Sequence, residues 1–283
     1  MADGTSHSAE RGCGVRLLEK TLQRDGCEIH YWMTPEAKDA WLVFLHGAGA
    51  DHRTFEGQLP ALQDRYGLLL WDARGHGRSR PARGRFGIPL LADDLLAVLE
   101  REGIEQAVFV GHSMGGCVAQ EIVRRDPGKV QALVLIDTFS VTWTPSPALR
   151  MALRMAPHVL WLCPWPLLVR WAASYSTVDP DARRYVREAV RTVGQRNFIR
   201  FLAATAAFLH PEPDYRIPVP TMLVLGEEER LGYIRNTAPL WSRREPRCIL
   251  RRIPHAGHFA HQDHPKMFNG LMVSFLEQTL NRA

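Results

Sequence analysis

The sequence predicts an α/β protein built on a mostly parallel sheet with helices on both faces. Short, unbroken apolar runs alternate along the chain with segments whose apolar residues recur at helical spacing. Unbroken apolar runs are typical of strands buried on both faces, as in parallel sheets covered by helices. A helix-prone stretch, residues 139–216, interrupts the alternation. We therefore expect a core domain of residues 1–138 and 217–283, and an inserted helical cap of residues 139–216.

Eight short segments suit strands, because they are bounded by turn-forming residues and most of them are unbroken apolar runs. They cover residues 15–22, 27–33, 41–45, 68–71, 107–111, 130–136, 219–225 and 248–253. The first two are separated by Arg24-Asp25-Gly26, a good hairpin turn, so the sheet should begin with an antiparallel pair. The later runs are interleaved with helical patterns, which favours parallel pairing.

Helical patterns fill most of the intervals between these strands. They cover residues 55–62, 91–99, 118–123, 233–241 and 265–280. Pro265 suits the first turn of the last helix, where its missing N–H costs nothing. Residues 139–216 hold four of the eight tryptophans among scattered prolines, and residues 1–14 are polar and are expected to form a frayed tail.

Polar residues that can carry chemistry follow the predicted strands directly. In parallel sheets, ligands bind outside the carboxyl ends of the strands, so these residues should meet at one edge. The residues that follow strands at that edge are His46-Gly47, Asp72, Ser113, Asp137, Glu229 and His258.

The segment Gly111-His112-Ser113-Met114-Gly115 joins a predicted strand to a predicted helix. Glycines two residues before and after the serine permit a sharp, strained turn that a Cβ atom would crowd. Such a turn lifts the Ser113 hydroxyl out at the carboxyl end of the strand. The pattern predicts a catalytic nucleophile at Ser113.

A serine nucleophile needs a base, and the base needs an acid to orient its ring. Among twelve histidines, His258 lies in the loop after the last strand, within reach of the serine, whereas the His112 side chain should turn away. His255, His261 and His264 share a three-residue spacing with His258. Pro254 and Gly257 interrupt the helix that would align these histidines, which argues against a metal site.

Composition excludes several other classes of function. The formal net charge is +5, but the arginines are scattered in short groups without interleaved aromatic residues, which argues against nucleic-acid binding. Five widely spaced cysteines indicate reduced thiols and a cytoplasmic protein. No signal peptide is recognised, and the most apolar stretch, residues 159–169, is too short to cross a membrane. The sequence does not indicate which oligomeric state the protein adopts.

Several motifs together resemble those of the α/β-hydrolase fold superfamily, in particular its capped esterases, lipases and C–C hydrolases. The motifs are Leu45-His46-Gly47-Ala48-Gly49, Asp72-Ala73-Arg74-Gly75-His76-Gly77-Arg78-Ser79, the turn at Ser113, and Gly257-His258 followed by Asp263-His264-Pro265. The resemblance implies an eight-stranded sheet flanked by helices and no cofactor. It also implies that Ser113 is the nucleophile, that His258 is the base, and that the amides of Ala48 and Met114 form an oxyanion hole.

The acid departs from the pattern of this superfamily. Its members usually carry aspartate three residues after the glycine that ends the strand following the cap, and here Glu229 stands at that distance from Gly226. Asp137, at the end of the strand before the cap, could also orient His258. We favour Glu229 by its position and keep Asp137 as the alternative. The segment Arg74 to Ser79 is interpreted as architectural.

These observations predict a serine hydrolase that cleaves a carboxylic ester or related acyl compound through an acyl-enzyme. The same triad could hydrolyse a C–C bond, a lactone or an amide, and a ligand receptor with a slow or inactive triad is an alternative from another class. An apolar cap favours a small-molecule substrate whose acyl group or alcohol is apolar. The candidate pocket residues in the cap are Met151, Met155, Trp161, Trp165 and Phe208.

Overall fold

A computed structural model describes residues 9–12, 14–36, 38–81 and 84–280. The strands in these ranges are β1 (Ala9–Gly12), β2 (Val15–Arg24), β3 (Cys27–Met33), β4 (Trp41–Leu45), β5 (Gly67–Trp71), β6 (Ala107–His112), β7 (Val130–Ile136), β8 (Thr221–Gly226) and β9 (Cys248–Ile253). The helices are α1 (Ile88–Arg101), α2 (Met114–Arg125), α3 (Pro147–Leu162), α4 (Trp165–Ser176), α5 (Pro180–Val193), α6 (Gln195–Ala207), α7 (Gly232–Arg244), α8 (Ala260–Asp263) and α9 (Pro265–Leu280).

The strands form one mostly parallel sheet in the order β1-β2-β3-β5-β4-β6-β7-β8-β9. The strands β1, β2, β3 and β5 pair antiparallel, and all pairs from β5–β4 to β8–β9 are parallel. All eight predicted strands are present, and the α/β-hydrolase fold is confirmed.

Two details of the prediction are wrong. Residues Ala9–Gly12 are not a frayed tail but a ninth strand, which pairs with β2 from Ala9 opposite Leu18 to Gly12 opposite Val15 and so covers its open edge. The helix expected at residues 55–62 is replaced by two short 3-10 helices, His52–Phe55 and Leu59–Ala61. Gly57 lies between them, and glycine is a weak helix former.

The sheet is covered by a hydrophobic core on each face. Successive strand residues point to opposite faces, so Val43 and Leu45 pack in one core and Leu42 and Phe44 in the other. Helices α1, α2 and α7 cover the first face, and α9 with the 3-10 helices covers the second. This arrangement explains why the central strands β4 to β8 are mostly apolar runs in the sequence.

Four helices, α3 to α6, are inserted between β7 and β8, and we call them the inserted helices. Their own apolar cluster, which includes Leu168, Val190 and Phe198, also contains Ala50 and Phe259 from the loops at the sheet edge. Polar contacts add to this attachment: the Tyr185 hydroxyl is hydrogen-bonded to Asp51. Within the described ranges, no helix is both long and apolar enough to cross a membrane.

Candidate active site

Ser113 occupies the strained turn predicted between β6 and α2. Its backbone has φ 50° and ψ −113°, a left-handed conformation that L-residues rarely adopt. A Cβ at Gly115 would lie 2.0 Å from the Leu45 carbonyl oxygen, and one at Gly111 would lie 2.7 Å from the Gly115 carbonyl carbon. Both glycines are therefore required by close backbone approach, and the turn presents Ser113 to a cavity above the sheet edge.

His258 lines the same cavity and is held by Glu229. Its Nδ1 lies 2.6 Å from the Glu229 Oε2, and the glutamate is fully buried. A carboxylate only accepts hydrogen bonds, so Nδ1 carries the proton and Nε2 is free to accept one. Burial alone would lower the pKa of His258, but the charge and hydrogen bond of Glu229 raise it above the ordinary 6.5.

Glu229 is itself fixed by the loop that follows β8. Its second oxygen, Oε1, accepts a hydrogen bond of 2.7 Å from the Leu231 amide. Its own amide donates to the Gly226 carbonyl in a tight turn. The carboxylate therefore faces the histidine in one defined orientation.

Asp137 is close to this pair, but its carboxylate is hydrogen-bonded to backbone amides. Its Oδ1 accepts the Gly226 amide at 2.8 Å and its Oδ2 accepts the Ala260 amide at 3.1 Å. Burial and the nearby negative charge of Glu229 raise the pKa of Asp137 well above its ordinary value. Asp137 thus ties the end of β8, which leads to Glu229, to the segment that follows His258.

Two further residues, His112 and Asp263, hold the His258 loop, a role that the sequence did not predict for either of them. His112 is buried, and its Nε2 donates to the His258 carbonyl at 2.8 Å, so this ring contacts the site although we expected it to turn away. Asp263 accepts the Gly257 amide at 2.7 Å and the Val178 and Asp179 amides at 3.1 and 3.0 Å. The nearest sequence signal was the motif Asp263-His264-Pro265, which carried no stated role.

The two residues expected to supply the oxyanion hole, Ala48 and Met114, lie in the segments that adjoin Ser113. Met114 is the first residue of α2, and the amides of a first helical turn have no acceptor within their own helix. Ala48 lines the cavity together with Ser113. A Cβ at Gly47 would lie 2.7 Å from the His112 Nδ1, so the backbone before Ala48 approaches the β6 turn closely.

The segment Arg74 to Ser79 packs as a structural loop. The buried Arg74 guanidinium binds both oxygens of Asp94, at 2.6 and 2.8 Å. Asp72 accepts from the His52 ring at 2.8 Å and from the Arg78 amide at 2.7 Å. Burial opposes ionisation of Asp72, but the His52 hydrogen bond and charge leave its pKa well below the ordinary value. These contacts support the architectural interpretation.

A cavity of about 510 Å³ lies between the sheet edge and the inserted helices. Of the five predicted pocket residues, only Met155 lines it. Met151 and Trp161 are mostly exposed, Trp165 packs near the Phe198 ring, and Phe208 is buried in the core beneath the sheet face. The prediction was wrong for these four, because apolar residues are spread around the inserted helices and their spacing does not show which side chains turn toward the cavity.

The cavity wall is formed by residues that the sequence analysis did not select. All four inserted helices contribute, as do α7 and the loops at the sheet edge. Among the larger side chains that line it are Phe139, Leu160, Trp171, Tyr175, Phe198 and Tyr233. Apart from His112, His258 and three tyrosines, no residue lining it within the described chain carries an ionisable side chain, and none is an aspartate, glutamate, lysine or arginine. The cavity therefore suits an uncharged, apolar ligand.

The histidines considered for a metal site are dispersed. His255 is almost wholly exposed and points toward Glu228, whereas His261 is buried against Thr54. The structure shows no group of three potential ligands arranged around one point in the described ranges.

Comparison with known proteins assigns the chain to a family. The model of the alpha/beta hydrolase family matches residues 42–271, which include the Ser113 turn, the four inserted helices and the His258 loop. The chain belongs to the alpha/beta hydrolase family. It is therefore a hydrolase with the fold that its sequence predicts.

Individual relatives differ in their stated activities. The chain is 28% identical over 271 residues to the magnesium-chelatase 30 kDa subunit of Rhodobacter capsulatus, covering 88% of this chain and 92% of that protein. It is 30% identical over 249 residues to the sn-1-specific diacylglycerol lipase ABHD11 of Mus musculus, covering 83% and 80%. A crystal structure of a hydrolase from Pseudomonas aeruginosa PA01 superposes with a TM-score of 0.80 at 22% identity, covering 91% and 98%.

Proposed function

We propose that this protein is a serine esterase that cleaves esters of apolar acyl groups through an acyl-enzyme. Ser113 is the nucleophile, His258 the general base and then acid, and Glu229 the carboxylate that orients the His258 ring. The amides of Ala48 and Met114 stabilise the oxyanion. No cofactor is needed, since the three side chains and two amides supply every proton and charge that acyl transfer requires.

The observation that carries this proposal is the combination at one cavity of Ser113 and the His258–Glu229 pair. The strained backbone at Ser113, with φ 50°, exposes the hydroxyl to the cavity. The distance of 2.6 Å between His258 Nδ1 and Glu229 fixes the tautomer whose Nε2 can accept the serine proton. Asp137, which uses both oxygens on backbone amides, is better suited to a structural role.

In the proposed reaction, Ser113 Oγ attacks the ester carbonyl carbon as its proton moves to His258 Nε2. The carbonyl oxygen becomes an oxyanion that accepts hydrogen bonds from the two amides. The C–O bond to the alcohol then breaks, and His258 returns its proton to the leaving alkoxide. Water, deprotonated by His258, attacks the acyl-enzyme and releases the acid. Each donor to the oxyanion typically contributes about 3 to 4 kcal/mol.

The apolar cavity supports a substrate with an apolar acyl or alcohol portion. A carboxylate in the ligand would lose its hydration in this cavity without gaining a cationic partner, which is unfavourable. The relationship to a diacylglycerol lipase is consistent with this preference. We propose further that residues 139–216 act as a cap that defines the pocket, and that the protein works in the reducing cytoplasm.

The test is the pre-steady-state hydrolysis of p-nitrophenyl esters of increasing acyl length. We expect a burst of p-nitrophenol close to one equivalent of enzyme, followed by slower turnover, and a preference for the longer acyl chains. The Ser113→Ala variant should show no burst and a kcat lower by about a millionfold. A wild-type protein that binds the esters without releasing p-nitrophenol would instead be a ligand receptor.

A further inference from the structure

Helix α3 (Pro147–Leu162) is apolar but none of its residues is buried. The exposed fraction reaches 63% for Val159 and 83% for Leu162. An exposed patch of large apolar side chains usually marks a surface that binds a membrane or another molecule.

The exposed side chains of α3 form two adjacent stripes. One stripe is apolar and recurs at helical spacing: Met151, Met155, Val159 and Leu162. The other is basic and ends in an aromatic residue: Arg150, Arg154, His158 and Trp161. A helix with an apolar face beside arginines and tryptophan is typical of segments that lie in the interface of a bilayer.

The stretch of chain that contains α3 and α4 carries charge of one sign. Between Asp137 and Asp179 the chain contains no acidic residue, and its charged residues there are three arginines, two on α3 and Arg170 on α4. Leu167 and Trp171 of α4 are also about half exposed. We call the exposed side chains of α3 and α4 the apolar–basic face. Its charge is complementary to an anionic surface.

This face surrounds an opening of the cavity. Met155, Val159 and Trp171 line the cavity, yet each remains about half exposed or more. These three side chains therefore form the rim between the apolar interior and the surroundings. An apolar molecule that enters between these side chains would pass from the outside of α3 and α4 directly toward Ser113.

We propose that the apolar–basic face docks on the surface of an anionic lipid bilayer, with the cavity opening toward the lipid. The apolar stripe of α3 inserts among the acyl chains, and Arg150, Arg154 and Arg170 contact the acidic headgroups. The docking does not depend on the hydrolytic chemistry, since none of these side chains belongs to the proposed triad. It supplies a route by which a water-insoluble ester reaches the cavity.

A second copy of the chain fits this face less well. A twofold interface brings the same patch of both subunits together. The arginines of one copy would then approach the arginines of the other, with no acidic residue of this segment to pair with them. Anionic lipid provides both the apolar phase and the opposite charge.

The test is co-sedimentation of the full-length protein with vesicles of phosphatidylcholine alone or mixed with phosphatidylglycerol. We expect binding to the mixed vesicles that is at least about tenfold tighter than to the neutral ones. The double variant R150Q/R154Q should bind the mixed vesicles about thirtyfold more weakly, since each arginine near an anionic surface contributes about a factor of five. Leu162→Glu should weaken binding by about tenfold or more.

Two control variants separate docking from its alternatives. Leu240→Glu changes a similarly exposed leucine, 48% accessible, on α7 and should bind as wild type does. Ser113→Ala should also bind normally, so failure of the hydrolase proposal would leave docking intact. The proposal is overturned if wild type stays in the supernatant, or if Leu240→Glu weakens binding as much as Leu162→Glu. It is also overturned if wild type is a dimer that Leu162→Glu makes monomeric and neither binds vesicles.

Discussion

The edge of the sheet and the inserted helix α3 differ in how closely their residues are packed and buried. At the sheet edge, Glu229 is fully buried and each of its oxygens has a hydrogen-bond partner, while close backbone contacts leave room only for glycine at Gly111 and Gly115. Helix α3 has no buried residue, and α6 is the helix it contacts most. The groups of the proposed triad therefore lie where packing is close and buried, whereas one wall of the cavity is a helix with no buried residue.

Among the residues that support Ser113, Glu229 should show the largest effect when it is replaced by glutamine. The Leu231 amide needs an acceptor and holds the glutamine oxygen, so the N–H₂ group faces His258 Nδ1, which must then accept. The productive tautomer and the stabilisation of the cation are both lost. We expect kcat for an ester substrate to fall by about ten-thousandfold. The variant Asp137→Asn is the matched control, because it also replaces a buried carboxylate at a neighbouring strand end.

Asp137→Asn should act on stability more than on turnover. One of the two backbone amides now bound by Asp137 would lose its acceptor, which costs about 1 to 3 kcal/mol in unfolding free energy. The pH profile adds an independent readout. In wild type, kcat/KM should rise with pH through a His258 pKa above 6.5, and Glu229→Gln should move that limb to lower pH. If Asp137→Asn were instead the more damaging change to kcat, Asp137 would be the acid.

A smaller effect is expected from filling the cavity. Ala206 lines it, whereas its neighbour Ala207 is exposed at the end of α6. Ala206→Phe should lower kcat/KM for long-chain p-nitrophenyl esters by about tenfold to a hundredfold and spare short-chain esters. Ala207→Phe should leave the acyl-length profile unchanged. Equal loss for all chain lengths in Ala206→Phe would show that this cavity does not hold the acyl chain.

The smallest effect concerns the dependence of stability on pH. Burial lowers the pKa of His261 to about 3, against 6.5 for an ordinary histidine. The unfolded chain therefore binds a proton that the folded chain does not, and the unfolding free energy falls as pH decreases from about 6.5 to about 3. His261 should account for up to about 1.4 kcal/mol per pH unit of that slope.

Denaturant unfolding of His261→Gln at several pH values checks this expectation. The variant should be less stable than wild type near pH 7 but lose stability less steeply below pH 6. An unchanged slope would mean that His261 already carries its proton in the folded protein.

The sheet edge could be predicted from the sequence because its constraints are local. Ser113 needs glycine two residues on either side, and Glu229 and His258 each follow a short strand-like segment. Their place in the sequence, directly after a strand, therefore predicted their place at the sheet edge. The cavity wall could not be predicted in this way. On an apolar helix such as α3, periodicity does not separate Met155, which lines the cavity, from Met151, which faces outward.

Other omissions have the same physical origin. His112 holds the His258 carbonyl through a contact between residues far apart in sequence, which no spacing reveals. Asp263 likewise binds amides at the start of α5 and in the His258 loop at once. Trp165 and Phe208 are aromatic residues of the segment between β7 and β8, as predicted, but pack within apolar clusters instead of facing the cavity. Long-range packing decides these roles.

The most direct test of the central claim is identification of the residue that a fluorophosphonate modifies. After reaction with the native protein, digestion and mass spectrometry should show one phosphonyl adduct, on the peptide that contains Ser113. The adduct should be absent from Ser113→Ala and should form much more slowly in Glu229→Gln. An adduct on another residue, or no adduct on a folded wild-type protein, would contradict the assignment of Ser113 as the nucleophile.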